Sequence, residues 1–532
     1  MVDEHELEEL ELSLSRGVWR AQNWGLPPKP SAVGAKVSAV FSPNVQEVDK
    51  SWTKLTNALA GQFCASLNFM DSTQSINPKW AFGPSGALLQ SNITSSHIKL
   101  GMLPGENVCT ENLTPWKKLL PCGAKRGLAT FLNADHIHST KYHSLGLTLR
   151  KICADSDEAG KCMSSPHIEL TLYVALVFDP LSLPDNVRSA LYEREAATSN
   201  WSIRTLFGIG VTSACPLATS SRILIDTSSG EFELLPSKSH VEQIQDIYVF
   251  DIKRLVEQGV NNLSAKYLKT KIYGIFPKPR IHATRFLIGH GNERGGIVTK
   301  IFNEGTKPLR VILLDMIPWY LRVFLHSMKV LNTQPLAVHF EPGVDRSKPY
   351  SLEMVLDIPA RSHVEISIDF EKSILKWLEY PPDANKGFYI NSAVILALLP
   401  DKTNFTVGID RHSSNFLESL SKDSDVSVPI LVELYTEALL VNLPTPDFSM
   451  PYNVICLTCT VIALAFGPLA NITTKGLTLV KPEDIPKSLK DKVKDKILGL
   501  IKKVKRTDSS EEGENTANDE TDTSTDDTKK ER

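Results

Sequence analysis

The 532-residue chain has no strong excess of charge of one sign, since 58 Lys and Arg stand against 61 Asp and Glu for a formal net charge of −3. No surface that is basic as a whole is implied, which sets nucleic acid aside as a bulk electrostatic partner. The start lacks an apolar run: Met1-Val-Asp-Glu-His-Glu-Leu-Glu-Glu-Leu10 is acidic and holds no signal-peptide core. Between Phe448 and Thr474 there is no charged residue at all. From Thr507 to Thr528 the opposite holds, with nine acidic residues and no aliphatic side chain larger than Ala. Such a segment cannot offset its ordering entropy, so residues 507–532 are expected to be a disordered acidic tail.

The uncharged stretch is predominantly apolar from Tyr452 to Ala470, long enough at about 1.5 Å per residue to cross the ~30 Å hydrocarbon core. A transmembrane helix is expected over 451–471. Lys422 is the last basic residue before it, whereas Lys475, Lys481, Lys487, Lys490 and Lys492 follow, which places the C-terminal side in the cytosol. A type I arrangement of this kind calls for a cleaved leader, so the native N-terminus and signal peptide are expected to be missing. Residues 472–506 carry an apolar stripe, Ile485, Leu489, Val493, Ile497, Leu500, Ile501 and Val504, among many lysines. They read as a basic amphipathic cytosolic helix, lying on the leaflet or else solvated or bound to a partner. The chain ends Lys529-Lys530-Glu531-Arg532, which resembles the dilysine signal for retrieval to the endoplasmic reticulum.

What precedes the membrane segment reads as mainly β. Val364 to Phe370 alternates apolar and polar residues, as do the runs through Leu352, Met354, Leu356 and Ile358 and through Leu145, Leu147 and Leu149. Each is expected to be a strand with one buried face. Ile168–Phe178 and Leu309–Leu325 are more continuously apolar, the pattern of strands covered on both sides. Trp52, Leu55, Leu59 and Phe63 recur at helical spacing, which predicts an amphipathic helix within Asp49–Asn68. The expected fold is a β-sandwich-like luminal ectodomain with a few helices, in two lobes at 1–240 and 241–447, followed by the transmembrane helix.

Six cysteines, Cys64, Cys109, Cys122, Cys153, Cys162 and Cys215, would then face an oxidising compartment. Fifteen full pairings are open to them, with Cys153 and Cys162 a natural local pair. Asn92, Asn200, Asn262 and Asn404 head usable glycosylation sequons. Pro115 directly after Thr114 disfavours Asn112, and Asn471 lies at the cytosolic edge.

Catalytic patterns are weak. His136, His138 and His143 with Asp135 have strand-like spacing for a metal, but surface histidines on a strand and its turn are the plainer reading. Gly289–Gly296 is glycine-rich without the Lys-Ser/Thr of a phosphate loop, so a plain loop is expected. Cys456 and Cys459 have redox spacing but sit in the membrane segment, where they read as packing residues. No nucleophile with an adjacent base stands out, and neither a catalytic residue, a metal nor a cofactor is expected.

Several long motifs coincide with a known family. Asp49-Lys-Ser-Trp-Thr-Lys-Leu55, Gln62-Phe-Cys-Ala-Ser-Leu-Asn-Phe69, Cys109-Thr-Glu-Asn-Leu-Thr-Pro-Trp-Lys-Lys-Leu-Leu-Pro-Cys122, Ile317-Pro-Trp-Tyr-Leu-Arg322 and the run from Leu443 to Thr460 resemble the PIG-T family of glycosylphosphatidylinositol (GPI) transamidase subunits. The resemblance implies a non-catalytic luminal scaffold of the endoplasmic reticulum membrane. Its partners would be the other subunits, including a cysteine-protease-like catalytic one, and the GPI glycolipid. It further implies that Cys109 forms a disulfide with the catalytic subunit, and that Asn385, Asp447, Ser449 and Asn453 contact GPI. Carboxylate, hydroxyl and amide groups suit sugar hydroxyls and phosphate. The competing classes are a freestanding luminal glycan-processing enzyme, which needs paired carboxylates or a metal, and a cell-surface adhesion protein, which the dilysine end disfavours.

Overall fold

The computed structural model describes residues 2–25, 27, 29–82, 94–120, 122, 126–152, 166–178, 201–218, 221–226, 232–236, 242–244, 247–268, 279–289, 291–381, 383, 386–399, 430–445, 449–476 and 488–507. Two compact units, Met1–Pro446 and Asp447–Arg532, divide the chain. The first is mainly β, as its alternating patterns imply.

Its N-terminal sheet has six strands: β1 (Leu7–Arg16), β2 (Gly34–Phe41), β3 (Ser75–Ile76), β4 (Ile98–Leu103), β5 (Tyr142–Ile152) and β6 (His167–Val177), in the order β3-β4-β2-β1-β5-β6. The register sets Leu12 opposite Val37 on one side and Leu147 on the other, and Leu14 opposite Ala35 and Leu145. Side chains at alternate positions therefore line one face. The helix Val48–Phe63 packs on that face through buried Trp52, Leu55, Leu59 and Phe63, the four positions that helical spacing selects. The Trp52 indole N–H donates to the Met70 carbonyl at 2.7 Å. Gly101 makes room for this contact, because a Cβ there would lie 2.8 Å from the Trp52 ring.

One apolar run departs from expectation. The Ile168–Phe178 stretch, read as a strand covered on both sides, is the edge strand β6, with Ile168 and Leu170 exposed. Apolar content reports affinity for a neighbour, not which side of the sheet the neighbour covers.

A small α/β part follows, with β7 (Trp201–Ser202), β8 (Arg222–Asp226), β9 (Phe232–Leu235), β10 (Glu242–Ile244), β11 (Ile247–Asp251) and β12 (Ser264–Tyr267) in two three-stranded sheets, β10-β11-β8 and β7-β12-β9. Ile203, Ile225, Leu234, Phe250, Leu255 and Leu263 share its core.

The remainder of the first unit is a sandwich. A four-stranded sheet, β13-β14-β19-β16, comprises β13 (Ile281–Ile288), β14 (Arg294–Asn303), β16 (Leu321–Leu331) and β19 (Ser362–Lys372). It faces a five-stranded one, β17-β18-β15-β21-β22, of β15 (Leu309–Ile317), β17 (Ala337–Glu341), β18 (Tyr350–Ile358), β21 (Val394–Leu399) and β22 (Ile430–Tyr435). The Leu309–Leu325 run is thus two strands, β15 and the start of β16, broken at Pro318 where a backbone N–H is lacking. The glycine-rich stretch begins as the turn between β13 and β14 and runs into β14 from Arg294.

Contacts between these parts are apolar and ionic. Leu100 and Met102 join Leu314, Met316, Val394 and Leu396 in one core. The fully buried Lys36 ammonium lies 3.1 Å from Glu11 and 3.4 Å from Glu433, and donates to the Tyr435 hydroxyl at 2.7 Å. Glu353, on the strand β18 that pattern alone reads as having one buried face, is itself buried. Its carboxylate accepts the backbone N–H groups of Lys79, Trp80 and Ala81. Arg285 donates from Nη2 to both carboxylate oxygens of the buried Asp315, at 2.6 and 2.8 Å, and from Nη1 to the Asn391 carbonyl. Burial pushes the Asp315 carboxyl up, and the guanidinium opposes that shift.

Candidate functional site

Two regions of the fold carry the residues to which chemistry can be attached. The first is the meeting of two helix ends. The helix Val48–Phe63 stops at Cys64, whose left-handed φ of 54° ends the helical run. The helix Thr110–Lys118 begins after Cys109, with Pro115 within it and Leu113 and Trp116 buried beneath. Asn112 joins them: its side-chain carbonyl accepts the Cys109 N–H at 2.7 Å, and its amide donates to the carbonyls of Phe63 at 2.7 Å and Cys64 at 3.1 Å. Both cysteines are exposed and free. A buried amide therefore ties together the backbones of two residues whose thiols are exposed. An exposed thiol in an oxidising compartment is available for a disulfide to another chain.

Cys122 and Cys215 are bonded to each other, with their Cα atoms 5.3 Å apart across a sequence separation of 93. Cys153 and Cys162 lie outside the described residues. The Asn112 amide is committed to two backbone carbonyls, so that sequon serves the fold. Asn262 is half-buried and its side-chain oxygen accepts the Arg204 N–H at 3.1 Å. Asn92, Asn200 and Asn404 fall outside the described residues, as do Lys529 and Lys530.

The second region leads to the apolar helix. The short strands β20 (Phe388–Ile390) and β23 (Leu439–Val441) pair with Phe388 opposite Val441 and Ile390 opposite Leu439. Gly387, at φ 84°, lets the backbone pass where a Cβ would lie 2.6 Å from the Asn442 side chain. The Tyr320 hydroxyl donates to the Tyr389 carbonyl at 2.7 Å, and the Tyr380 hydroxyl donates to the Pro444 carbonyl. Leu375, Ile390, Leu439, Val441 and Leu443 are buried together around these bonds. The chain is thus held firmly as far as Pro444. Asn385 and Asp447 lie outside the described residues.

In the second unit Ser449 opens the helix Ser449–Thr474, and Asn453 is exposed on its first turns. Tyr452–Thr474 is long and apolar enough to cross a membrane, at about 34 Å. Thr458 and Thr460 turn their hydroxyls onto the carbonyls of Val454 at 2.8 Å and Cys456 at 2.7 Å. Such bonds satisfy the hydroxyls within the helix, which lipid requires. Cys456 and Cys459 are exposed on the same helix.

The histidines differ from expectation. His136 and His138 sit on the short helix Ala134–His138, not on a strand, and only His143 is in β5. Asn133 caps that helix by accepting the Asp135 N–H, which gives the segment its helical start. His136 and His143 are buried, not on the surface. The His138 and His143 rings meet edge to face at 5.2 Å. Burial, with the charges of His138 and Arg16, holds His143 down at about 4. Among the described residues no three His, Cys, Asp or Glu side chains gather as a metal site.

Sequence patterns gave no sign of a cavity of about 420 Å³ lined by Trp19, Arg20, Asn23, Ser31, Thr284 and Glu437. Trp19 meets Trp24 and Tyr142 edge to face at 5.3 and 5.2 Å. Its walls come from segments hundreds of residues apart, so no local motif marks it. Asn112 did leave a signal: a polar residue three after Cys109 occupies the position that answers an N-cap.

Comparison with known proteins covers both regions. The family described as Gpi16 subunit, GPI transamidase component, matches residues 1–502. The human GPI-anchor transamidase component PIGT is 38% identical over 503 residues, covering 91% of this chain and 83% of that protein. The mouse counterpart is 37% identical over 502 residues, with the same coverage. The GPI transamidase component GPI16 of Saccharomyces cerevisiae is 31% identical over 542 residues, covering 93% and 84%. Among solved structures, an exo-β-N-acetylglucosaminidase of Vibrio harveyi is 10% identical over 32% of this chain and 19% of that one, and its TM-score of 0.17 carries no argument.

Proposed function

Because this chain belongs to the Gpi16 family of GPI transamidase components, we propose that it is a non-catalytic subunit that scaffolds the catalytic one and helps present GPI to it. In this reading a cysteine-protease-like subunit cleaves the precursor's C-terminal signal as a thioester, and the GPI amine then attacks to form the amide. The present chain contributes position, which converts an encounter between two membrane-bound substrates into a local one.

The observation that carries the reading is the exposed, free Cys109 on a surface pinned by Asn112. It is the thiol that the family resemblance links to the catalytic subunit. Support for the lipid end comes from the tethering of the chain at Tyr380 and Pro444, just before Asp447, Ser449 and Asn453. With Asn385, these groups would meet the sugar head where it enters the bilayer. Asn453 on a membrane helix is otherwise costly, since an idle amide pays desolvation in lipid.

The β-rich lobes 1–240 and 241–447 would form the luminal body, 451–471 the span, and 472–506 the basic cytosolic segment. The Lys529-Lys530 ending would return the protein to the endoplasmic reticulum. The test is replacement of the endogenous protein by Cys109→Ser and by Asp447→Ala/Asn453→Ala, followed by purification and a GPI-anchored surface reporter. Loss of the reducible adduct in the first and of reporter in the second is expected. An intact complex with full reporter in both would refute the assignment.

A further inference from the structure

At the end of β19 the chain makes a short, stiff loop whose outward side is apolar. Leu375 is buried in the core with Leu439, Val441 and Leu443, whereas Ile374, Trp377 and Leu378 are 75%, 47% and 90% exposed. Leu378 is the most exposed large apolar side chain among the described residues. The loop is not loose. Glu379 closes a single helical turn over Trp377–Glu379 by accepting the Lys376 N–H at 2.7 Å, and it is bidentate to Arg346, one of the two bonds measuring 3.0 Å. Tyr380 then donates to the Pro444 carbonyl.

A soluble surface seldom keeps three large apolar side chains together and fixed in place without a use for them. Lys372 precedes them in the chain and Lys376 lies among them. Aromatic and aliphatic tips with lysines beside them, whose long stems can lie along apolar matter while the ammonium stays wet, match the interfacial zone of a bilayer. Chain length supplies the second argument. Pro444, the bond partner of this loop, precedes Ser449, the first residue of the apolar helix, by five residues. Five residues span at most about 17 Å even when fully extended. The reach of the chain from the bond partner of this loop to the start of the apolar helix is limited to that length.

We propose that Ile374, Trp377 and Leu378 form a membrane-insertion loop that seats the β-rich unit on the lipid interface. Such a contact would add a second attachment to the bilayer beside the helix. The proposal requires only that the helix spans a membrane and does not depend on the transamidase reading.

The test uses the full chain in its native membrane, with a diazirine amino acid in place of Leu378 and, separately, of Leu217, which is 75% exposed. After illumination, mass spectrometry is expected to find phospholipid adducts at position 378 at least tenfold above those at 217. Adducts at 378 with another polypeptide only would overturn the proposal and make the loop a subunit contact. So would lipid adducts no more abundant than at 217. Ile374→Ser/Leu378→Ser, which removes only exposed side chains, checks the same point. It is expected to leave thermal unfolding unchanged while lowering the lipid adducts from a diazirine at position 377 by tenfold or more.

Discussion

The side-chain carbonyl of Asn112 accepts the backbone N–H of Cys109 at 2.7 Å, so the residue that the family resemblance links to a partner is held by an asparagine that heads a disfavoured sequon. Asn112→Ala would strand the buried carbonyl of Phe63 and remove the bond to that of Cys64. A loss of about 1–3 kcal/mol is expected in denaturant unfolding. Asn112→Asp should not restore it, since a carboxylate cannot donate. Peptide mass mapping should find Asn112 unglycosylated.

The two exposed thiols are expected to behave differently. Cys109→Ser should abolish the reducible adduct with the catalytic subunit on non-reducing electrophoresis, and Cys64→Ser should retain it. An adduct that survives in Cys109→Ser but disappears in Cys64→Ser would reassign the bond.

Glu353 ties strand β18 to residues 79–81 through three charge-assisted hydrogen bonds in a buried setting. Each such bond is worth roughly 1.5–3 kcal/mol, and the three share one anion. Glu353→Ala should therefore lower stability by about 3 kcal/mol or more, measured as a shift in the urea midpoint. Glu353→Gln keeps one acceptor oxygen and should fall between.

His143 is neutral when folded, held near 4 by burial and by the neighbouring charges of His138 and Arg16. Unfolded, it takes up a proton near 6.5, so the unfolded state binds more protons between pH 6.5 and 4. The stability from keeping this ring neutral is present above pH 6.5 and is lost as pH falls through that window. At about 1.4 kcal/mol per pH unit, the loss approaches roughly 3 kcal/mol. His143→Gln should flatten the fall in melting temperature between pH 7 and 5. An unchanged slope would assign the acid sensitivity to other groups.

The buried Arg285–Asp315 pair should not tolerate loss of one partner alone. Asp315→Ala leaves a guanidinium in the core, and about 3–5 kcal/mol of destabilisation is expected in thermal or denaturant unfolding. Replacing both by apolar residues of similar volume should recover much of that loss.

Local patterns alone determined a good part of this protein. The membrane helix followed from length and hydropathy, the helix under the first sheet from the 3.6-residue recurrence of Trp52, Leu55, Leu59 and Phe63, and the sandwich strands from alternation in Val364–Phe370 and Leu352–Ile358. These signals are local because each element must hide one face, whatever covers it. The family came from motifs spread over most of the chain. What covers each face was decided only by the tertiary structure, because it depends on segments far apart in sequence. It made β6 an edge, buried Glu353 against a loop some 270 residues earlier, and moved two histidines from an expected strand onto a capped turn of helix. It also gave Asn112 two backbone carbonyls as partners, and turned Ile374, Trp377 and Leu378 outward beside Leu375. Their apolar character is plain in the sequence, but which of the four faces the core depends on where Tyr380 finds Pro444.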